Sequence, residues 1–208
     1  MNKDSKIGKT IHLIRHGETD FNKQGIIQGS GVNSNLNDKG RWQAERFFDA
    51  YNSLPYKHIY TSELNRAIQS VEAFIQKGIP HTAHAGLNEI NWGIMEGQPS
   101  TAERHKVYQH IIENWTNGNL DIAIENGETP LALFEKQSTA LSHIMKNDHE
   151  DLILISMHGR AMRSFLCLLT NTPLQQMEKW GHTNLCLYEL TYNGSCFDVV
   201  KACDIAHL

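Results

Sequence analysis

No run in this 208-residue chain approaches the ~20 consecutive apolar residues of a bilayer-spanning helix, so no membrane partner is expected. The first residues, Met-Asn-Lys-Asp-Ser-Lys, lead into no apolar stretch of signal-peptide length, which makes a cytoplasmic location the default expectation. Cysteine is sparse. Residues 167, 186, 196 and 203 never form a C-x-x-C pair, and three lie in apolar segments, which predicts buried reduced thiols rather than a disulfide frame or metal site. Positive charge is not in excess: 19 Lys and Arg against 23 Asp and Glu leave a net charge of −4. No basic field recruits nucleic acid, and any anion site must be a local cluster. Histidine is plentiful at twelve, yet positions 12, 81, 84, 105, 110, 143, 149, 182 and 207 show no paired metal-ligand spacing among themselves. No Pro/Gly/Ser-rich linker and no repeat divides the chain, so residues 1–208 read as one domain.

What is present is an ordinary globular balance, 40% hydrophobic and 20% charged, on a chain long enough to bury a sizeable core. Strand signals fall at about 10–15, 57–61, 151–157, 184–191 and 196–203. After Asp38-Lys39-Gly40, apolar or aromatic residues at 42, 44, 47, 48 and 51 mark an amphipathic helix. Ser62 is a candidate cap for a helix over 63–77. Thr129 or Pro130 opens another that runs to about 147, and a last one covers about 160–170. Strands alternating with helices predict an α/β fold, a three-layer α/β/α sandwich around a mostly parallel sheet. In such sheets the active residues gather beyond the carboxyl ends of the strands.

Four segments place chemistry at those ends. Leu13-Ile14 runs into Arg15-His16-Gly17; Ile59-Tyr60-Thr61-Ser62 runs into Glu63-Leu64-Asn65-Arg66. The third is Leu87-Asn88-Glu89 through Glu96-Gly97, and the fourth carries Leu152–Met157 into His158-Gly159. An imidazole with a reference pKa of about 6.5 is a competent nucleophile near neutral pH, and a neighbouring guanidinium forks onto phosphate oxygens. In this order and spacing the segments resemble the histidine phosphatase superfamily, whose branches include phosphoglycerate mutases and fructose-2,6-bisphosphatases. The likeness covers residues 11 to about 190.

The resemblance implies roles. His16 is the nucleophile, attacking through Nε2 if Nδ1 is held by a backbone carbonyl. Arg15 and Arg66 are paired forks on the phosphoryl oxygens, and His158 is a further donor, most useful when protonated. Glu89 is the general acid that then activates water, with Glu96 as its structural competitor. Asn22, Gln28, Gly29 and Gly159 match substrate-binding positions, Gly29 by letting backbone approach closely. Thr19 and Glu18 stay outside the catalytic set. Met157 and Arg160 depart from the family's usual small residues; Arg160 either recognises a second acidic group or projects to water, and Arg163 reads as an ion-pair partner. Neither metal nor cofactor is implied.

Residues 98–126 are expected to cap the site, with Lys106, Tyr108, His110 and Trp115 either reading the leaving group or, for the face 108/111/112/115, simply packing. This segment is shorter than in the mutase branch, which favours water as acceptor. The preferred reading is therefore a metal-independent phosphomonoesterase for a small phosphorylated metabolite, working through phosphohistidine. The alternatives are a phosphoglycerate mutase-type phosphotransferase and a low-turnover phosphate-binding protein; the latter would have lost one of the five site residues, and none is lost. Oligomeric state is open, a homodimer being a family-level expectation.

Overall fold

The computed structural model describes residues 8–208, so the reading of Met1–Lys6 lies outside the described residues. Six strands form one sheet: β1 (Thr10–Arg15), β2 (His58–Thr61), β3 (His81–Ala83), β4 (Leu152–Met157), β5 (Leu187–Tyr192) and β6 (Phe197–Asp204), in the order β3-β2-β4-β1-β5-β6. The pairs β1/β4, β2/β4 and β2/β3 are parallel, while β5 and β6 add antiparallel at one side. The helices are α1 (Asp20–Lys23), α2 (Asp38–Tyr51), α3 (Asn65–Gln69), α4 (Glu72–Gln76), α5 (Ala102–Thr116), α6 (Pro130–Met145) and α7 (Gly159–Leu169). None is long and apolar enough to cross a membrane.

The layers follow from strand alternation. Ile11 and Leu13 of β1, Ile153, Ile155 and Met157 of β4, and Tyr188 and Leu190 of β5 pack with Leu133, Ala140 and Ile144 of α6 and Ala161, Met162 and Phe165 of α7. The intervening residues Ile14, Ile59, Leu154 and Leu187 face the other way, against Phe47 of α2 and Phe74 of α4. The central strands β1 and β4 are thus buried on both faces, as a parallel sheet clad in helices requires. Burying a side chain such as Ile14 contributes roughly 1.5–3 kcal/mol.

Three sequence expectations change. The helix expected over 63–77 is two short ones, and Leu64 rather than Ser62 precedes the first. Ser62 Oγ is engaged elsewhere, accepting the Leu64 N–H and meeting His158 Nε2. Ser70 Oγ donates back to the Arg66 carbonyl at 2.6 Å, a bond that bends and ends helices. In α2, Trp42 is 44% exposed, and Gln43 is buried in its stead because its side chain accepts the Glu18 N–H. Cys167 and Cys186 are buried free thiols, whereas Cys196 and Cys203 are only half-buried.

Candidate active site

β1 and β4 lie side by side and end together, with Arg15 level with Met157. The chain leaves β4 for α7 and the far side of β1, so both carboxyl ends open at the point where the strand order reverses. His16 follows β1 directly. Its N–H continues the sheet by donating to Met157 O at 2.9 Å. Its Nδ1 lies 2.7 Å from Gly17 O; a carbonyl only accepts, so Nδ1 carries the hydrogen and Nε2 keeps its lone pair. Burial, with Arg66 and Arg15 alongside, holds the His16 pKa well below its ordinary value and the ring neutral.

His158 opens α7, its ring centroid 5.1 Å from that of His16. Arg66 Nε donates to His158 Nδ1 at 3.2 Å, so the remaining hydrogen sits on Nε2, 2.7 Å from Ser62 Oγ. Burial first, then Arg66, His16 and Arg15, push its pKa far down. The protonated donor expected from sequence is therefore corrected: burial first, then the neighbouring guanidinium charges, favour a neutral ring, and both ring nitrogens are already engaged. Arg66 itself also donates to Val32 O at 2.6 Å and Gly29 O at 3.2 Å. Burial lowers its pKa to about 10, which leaves it charged near neutral pH.

Glu89 is buried with its carboxylate across the first turn of α7. Oε1 accepts the N–H groups of Ile90 (2.9 Å) and Ala161 (2.8 Å), and Oε2 accepts that of Arg160 (3.0 Å). Burial raises its pKa; the three N–H donors and Arg66 oppose that rise without cancelling it. Oε2, with a single donor, retains the lone pair on which a proton can ride. Glu96 instead accepts the Trp92 N–H at 2.8 Å through Oε1, a structural tie.

These groups meet at a cavity of about 280 Å³ lined by Arg15, His16, Asn22, Gln28, Glu89 and Gly159 among others. Arg66 and His158 stand behind the lining. Gly29 is not part of it: a Cβ there would run into the Glu96 carboxylate and lie 2.6 Å from Ile90 O, so the close approach this glycine permits is to protein. Asn22 sits in a capping box with Thr19, whose hydroxyl also accepts from Gln28 Nε2 at 2.8 Å. Thr19, outside the sequence-derived set, is therefore the hub that orients two residues inside it.

The far wall is Ile26, Ile27, Trp92, Met95, Tyr108 and Arg104, the last two from α5. Lys106 and His110 do not reach it. Trp115 packs in the core against Trp92, its Nε1–H donating to Ile122 O. Arg160 does not project to water: it is 6% exposed, pairs with Glu178, donates to Tyr108 Oη at 2.9 Å, and lies 6.0 Å from the Trp92 ring centroid. Arg163 pairs with the same Glu178, the ion-pair role read from sequence. Two residues were missed. Asn184 Nδ2 donates to His16 O at 3.0 Å, and His182 Nδ1 lies 3.2 Å from Arg15 Nη1. Only the Asn before the last apolar run gave any signal; His182 gave none.

An α/β sheet that ends in a neutral imidazole beside the Arg15 guanidinium, with a buried carboxyl on the same cavity, is an arrangement compatible with phosphoryl-group chemistry. Comparison makes the family explicit: the chain belongs to the histidine phosphatase superfamily (branch 1), matched over residues 11–205. It is 28% identical to a Citrobacter koseri protein named "Probable phosphoglycerate mutase GpmB", over 95% of this chain and 94% of that one. Its fold is similar to that of the alpha-ribazole phosphatase from Shigella flexneri, with a TM-score of 0.82, 21% identity and coverage of 94% and 96% of the two chains. It is also similar to a mycobacterial glucosyl-3-phosphoglycerate phosphatase, with a TM-score of 0.84, 18% identity and coverage of 95% and 100%. The protein is thus an enzyme of the phosphatase and phosphoglycerate mutase-like kind.

Proposed function

We propose that this chain is a phosphomonoesterase that hydrolyses a small phosphorylated metabolite through a phosphohistidine on His16. The observation that carries the reading is the His16 tautomer: Nδ1–H is spent on Gly17 O, so the Nε2 lone pair is available beside Arg15 at the cavity. In the first half-reaction Nε2 attacks phosphorus in line, the P–O bond to the leaving group breaks, and Glu89 delivers its proton to the departing oxygen. In the second, Glu89 as carboxylate takes a proton from water, the hydroxide attacks phosphorus, and the P–N bond breaks. The products are the alcohol and inorganic phosphate, and both His16 and Glu89 end as they began. Arg15 and Arg66 spread their charge over the equatorial oxygens while the phosphoryl group moves. A cavity of about 280 Å³ suits a metabolite rather than a phosphorylated protein surface.

The names of the curated relatives favour a second reading, in which the phosphoryl group returns to an acceptor such as a phosphoglycerate. The short segment 98–126 argues for water as the acceptor instead. A panel of phosphate monoesters, assayed with and without EDTA and with His16→Ala, separates the cases. Phosphate release that survives chelation and disappears in the variant is the expected result. Activity retained by His16→Ala would reject the mechanism, and phosphohistidine that discharges only onto an added acceptor would establish the mutase reading.

A further inference from the structure

We infer that His182 is a positioning residue that aims Arg15 at the transferred phosphoryl group, an inference that rests on the proposed phosphohistidine chemistry. The guanidinium is a permanent donor, so the 3.2 Å contact between Arg15 Nη1 and His182 Nδ1 requires a lone pair on Nδ1. That fixes His182 as the neutral Nε2–H tautomer. Its surroundings agree: burial, then Arg15, Arg163 and Arg160, lower its pKa to about 3.

The contact leaves the opposite edge of the guanidinium free. Nη1 lies on the side of Cδ, whereas Nε and Nη2 point together and form the fork that takes two oxygens of one anion. Arg15 Nε is buried with no hydrogen-bond partner among the described residues. A buried N–H of this kind is costly until a partner arrives, and a phosphoryl oxygen is a fitting one. His182 thus occupies the nitrogen that the anion does not need.

The loop that carries His182 is tied to the same two residues through its backbone. Leu185 N–H donates to Arg15 O at 3.0 Å, and Asn184 Nδ2 donates to His16 O. Tyr188 Oη donates to Gly181 O at 2.6 Å, which pins the other side of the loop. The ring has room only because residue 159 is glycine: a Cβ there would stand 2.8 Å from His182 Cε1 and 3.0 Å from Nε2. Gly159 therefore makes space for the histidine that steers Arg15.

The test compares His182→Ala with His182→Asn, whose Oδ1 can stand near the position of Nδ1 as acceptor. Steady-state hydrolysis of 4-nitrophenyl phosphate is read together with inhibition by orthovanadate and calorimetric binding of inorganic phosphate. His182→Ala should weaken vanadate inhibition and phosphate binding about ten-fold, a loss of ~1.4 kcal/mol, and raise KM more than it lowers kcat. His182→Asn should recover most of that loss at unchanged circular dichroism. Unaltered anion affinity in a folded His182→Ala protein, or an Asn variant no better than Ala, overturns the inference. A wild-type protein that binds phosphate but does not hydrolyse the ester would sink the proposed function instead and leave the positioning role readable from the binding data.

Discussion

Replacing Glu89 by glutamine removes the proton donor of the proposed mechanism and also breaks a hydrogen-bond count that the backbone imposes. The carboxylate accepts three N–H groups, two on Oε1 and one on Oε2. An amide has one accepting oxygen. Its better orientation keeps the Ile90 and Ala161 N–H groups and turns its NH₂ toward the Arg160 N–H, donor against donor. One buried N–H is orphaned, at about 1–3 kcal/mol. For a chain of 208 residues, at ~2–4 °C per kcal/mol, Tm should fall by roughly 2–12 °C. The loss should depend on pH. Burial raises the Glu89 pKa, so its contribution to wild-type stability is fullest below the ordinary carboxylate value and declines as pH rises through the folded value. Thermal scans should therefore separate wild type from variant more at about pH 5 than at about pH 8. In catalysis, the rate loss should be small for 4-nitrophenyl phosphate and grow toward ~10²–10⁴-fold for alkyl phosphates, whose leaving oxygen needs a proton. A uniform loss across leaving groups, or a variant that melts with wild type at both pH values, refutes the reasoning.

Acid should destabilise the fold through its buried imidazoles. His16 and His158 are held well below the ordinary 6.5, so their stabilisation is complete above that value and is lost as pH falls toward the folded values. Denaturant titrations between about pH 7 and pH 5 should show stability dropping by up to ~1.4 kcal/mol per pH unit for each group, and a flat profile would contradict the burial argument. Gly29→Ala should force the Glu96 carboxylate off the Trp92 N–H and disturb the Gly29 carbonyl that anchors Arg66. Overpacking of about 1–3 kcal/mol, with weaker vanadate inhibition, is expected; a variant unchanged in both Tm and inhibition would argue against the strut.

How much of this was legible depended on whether neighbouring residues in sequence share a task. β1 is Thr10–Arg15 as read, because its apolar run ends abruptly in Arg-His-Gly. Thr129 and Pro130 mark the start of α6 for a local reason, a hydroxyl cap followed by proline at the first turn. Glu89 and His158 could be named as candidates because each lies in a compact motif. His182 could not, since its partner Arg15 is 167 positions away and no periodicity links them. Arg160 was misjudged in part for the same reason: nothing in Met157-His158-Gly159-Arg160 announces that Glu178 and Tyr108 will enclose the guanidinium. The break after Gln69 was hidden because a serine inside a helical pattern signals a bend only when its hydroxyl turns back on the chain, as Ser70 does.

The charge arrangement explains why an acidic protein can hold an anion at all. Arg15 and Arg66 bring two fixed positive charges into a buried region where Glu89 supplies the nearby carboxylate, itself pushed toward its neutral form. Burial first, and then the neighbouring guanidinium charges, favour neutral imidazoles at His16 and His158. The site is therefore locally positive within a chain of net charge −4. A phosphate dianion is the countercharge that the two guanidiniums lack, so its arrival relieves their burial and raises the proton affinity of Glu89 in the same step. Under the proposed mechanism, substrate binding would thereby arm the acid. A change that neutralises Arg66 should weaken the affinity for phosphate while favouring protonation of Glu89, because the Arg66 charge opposes that protonation.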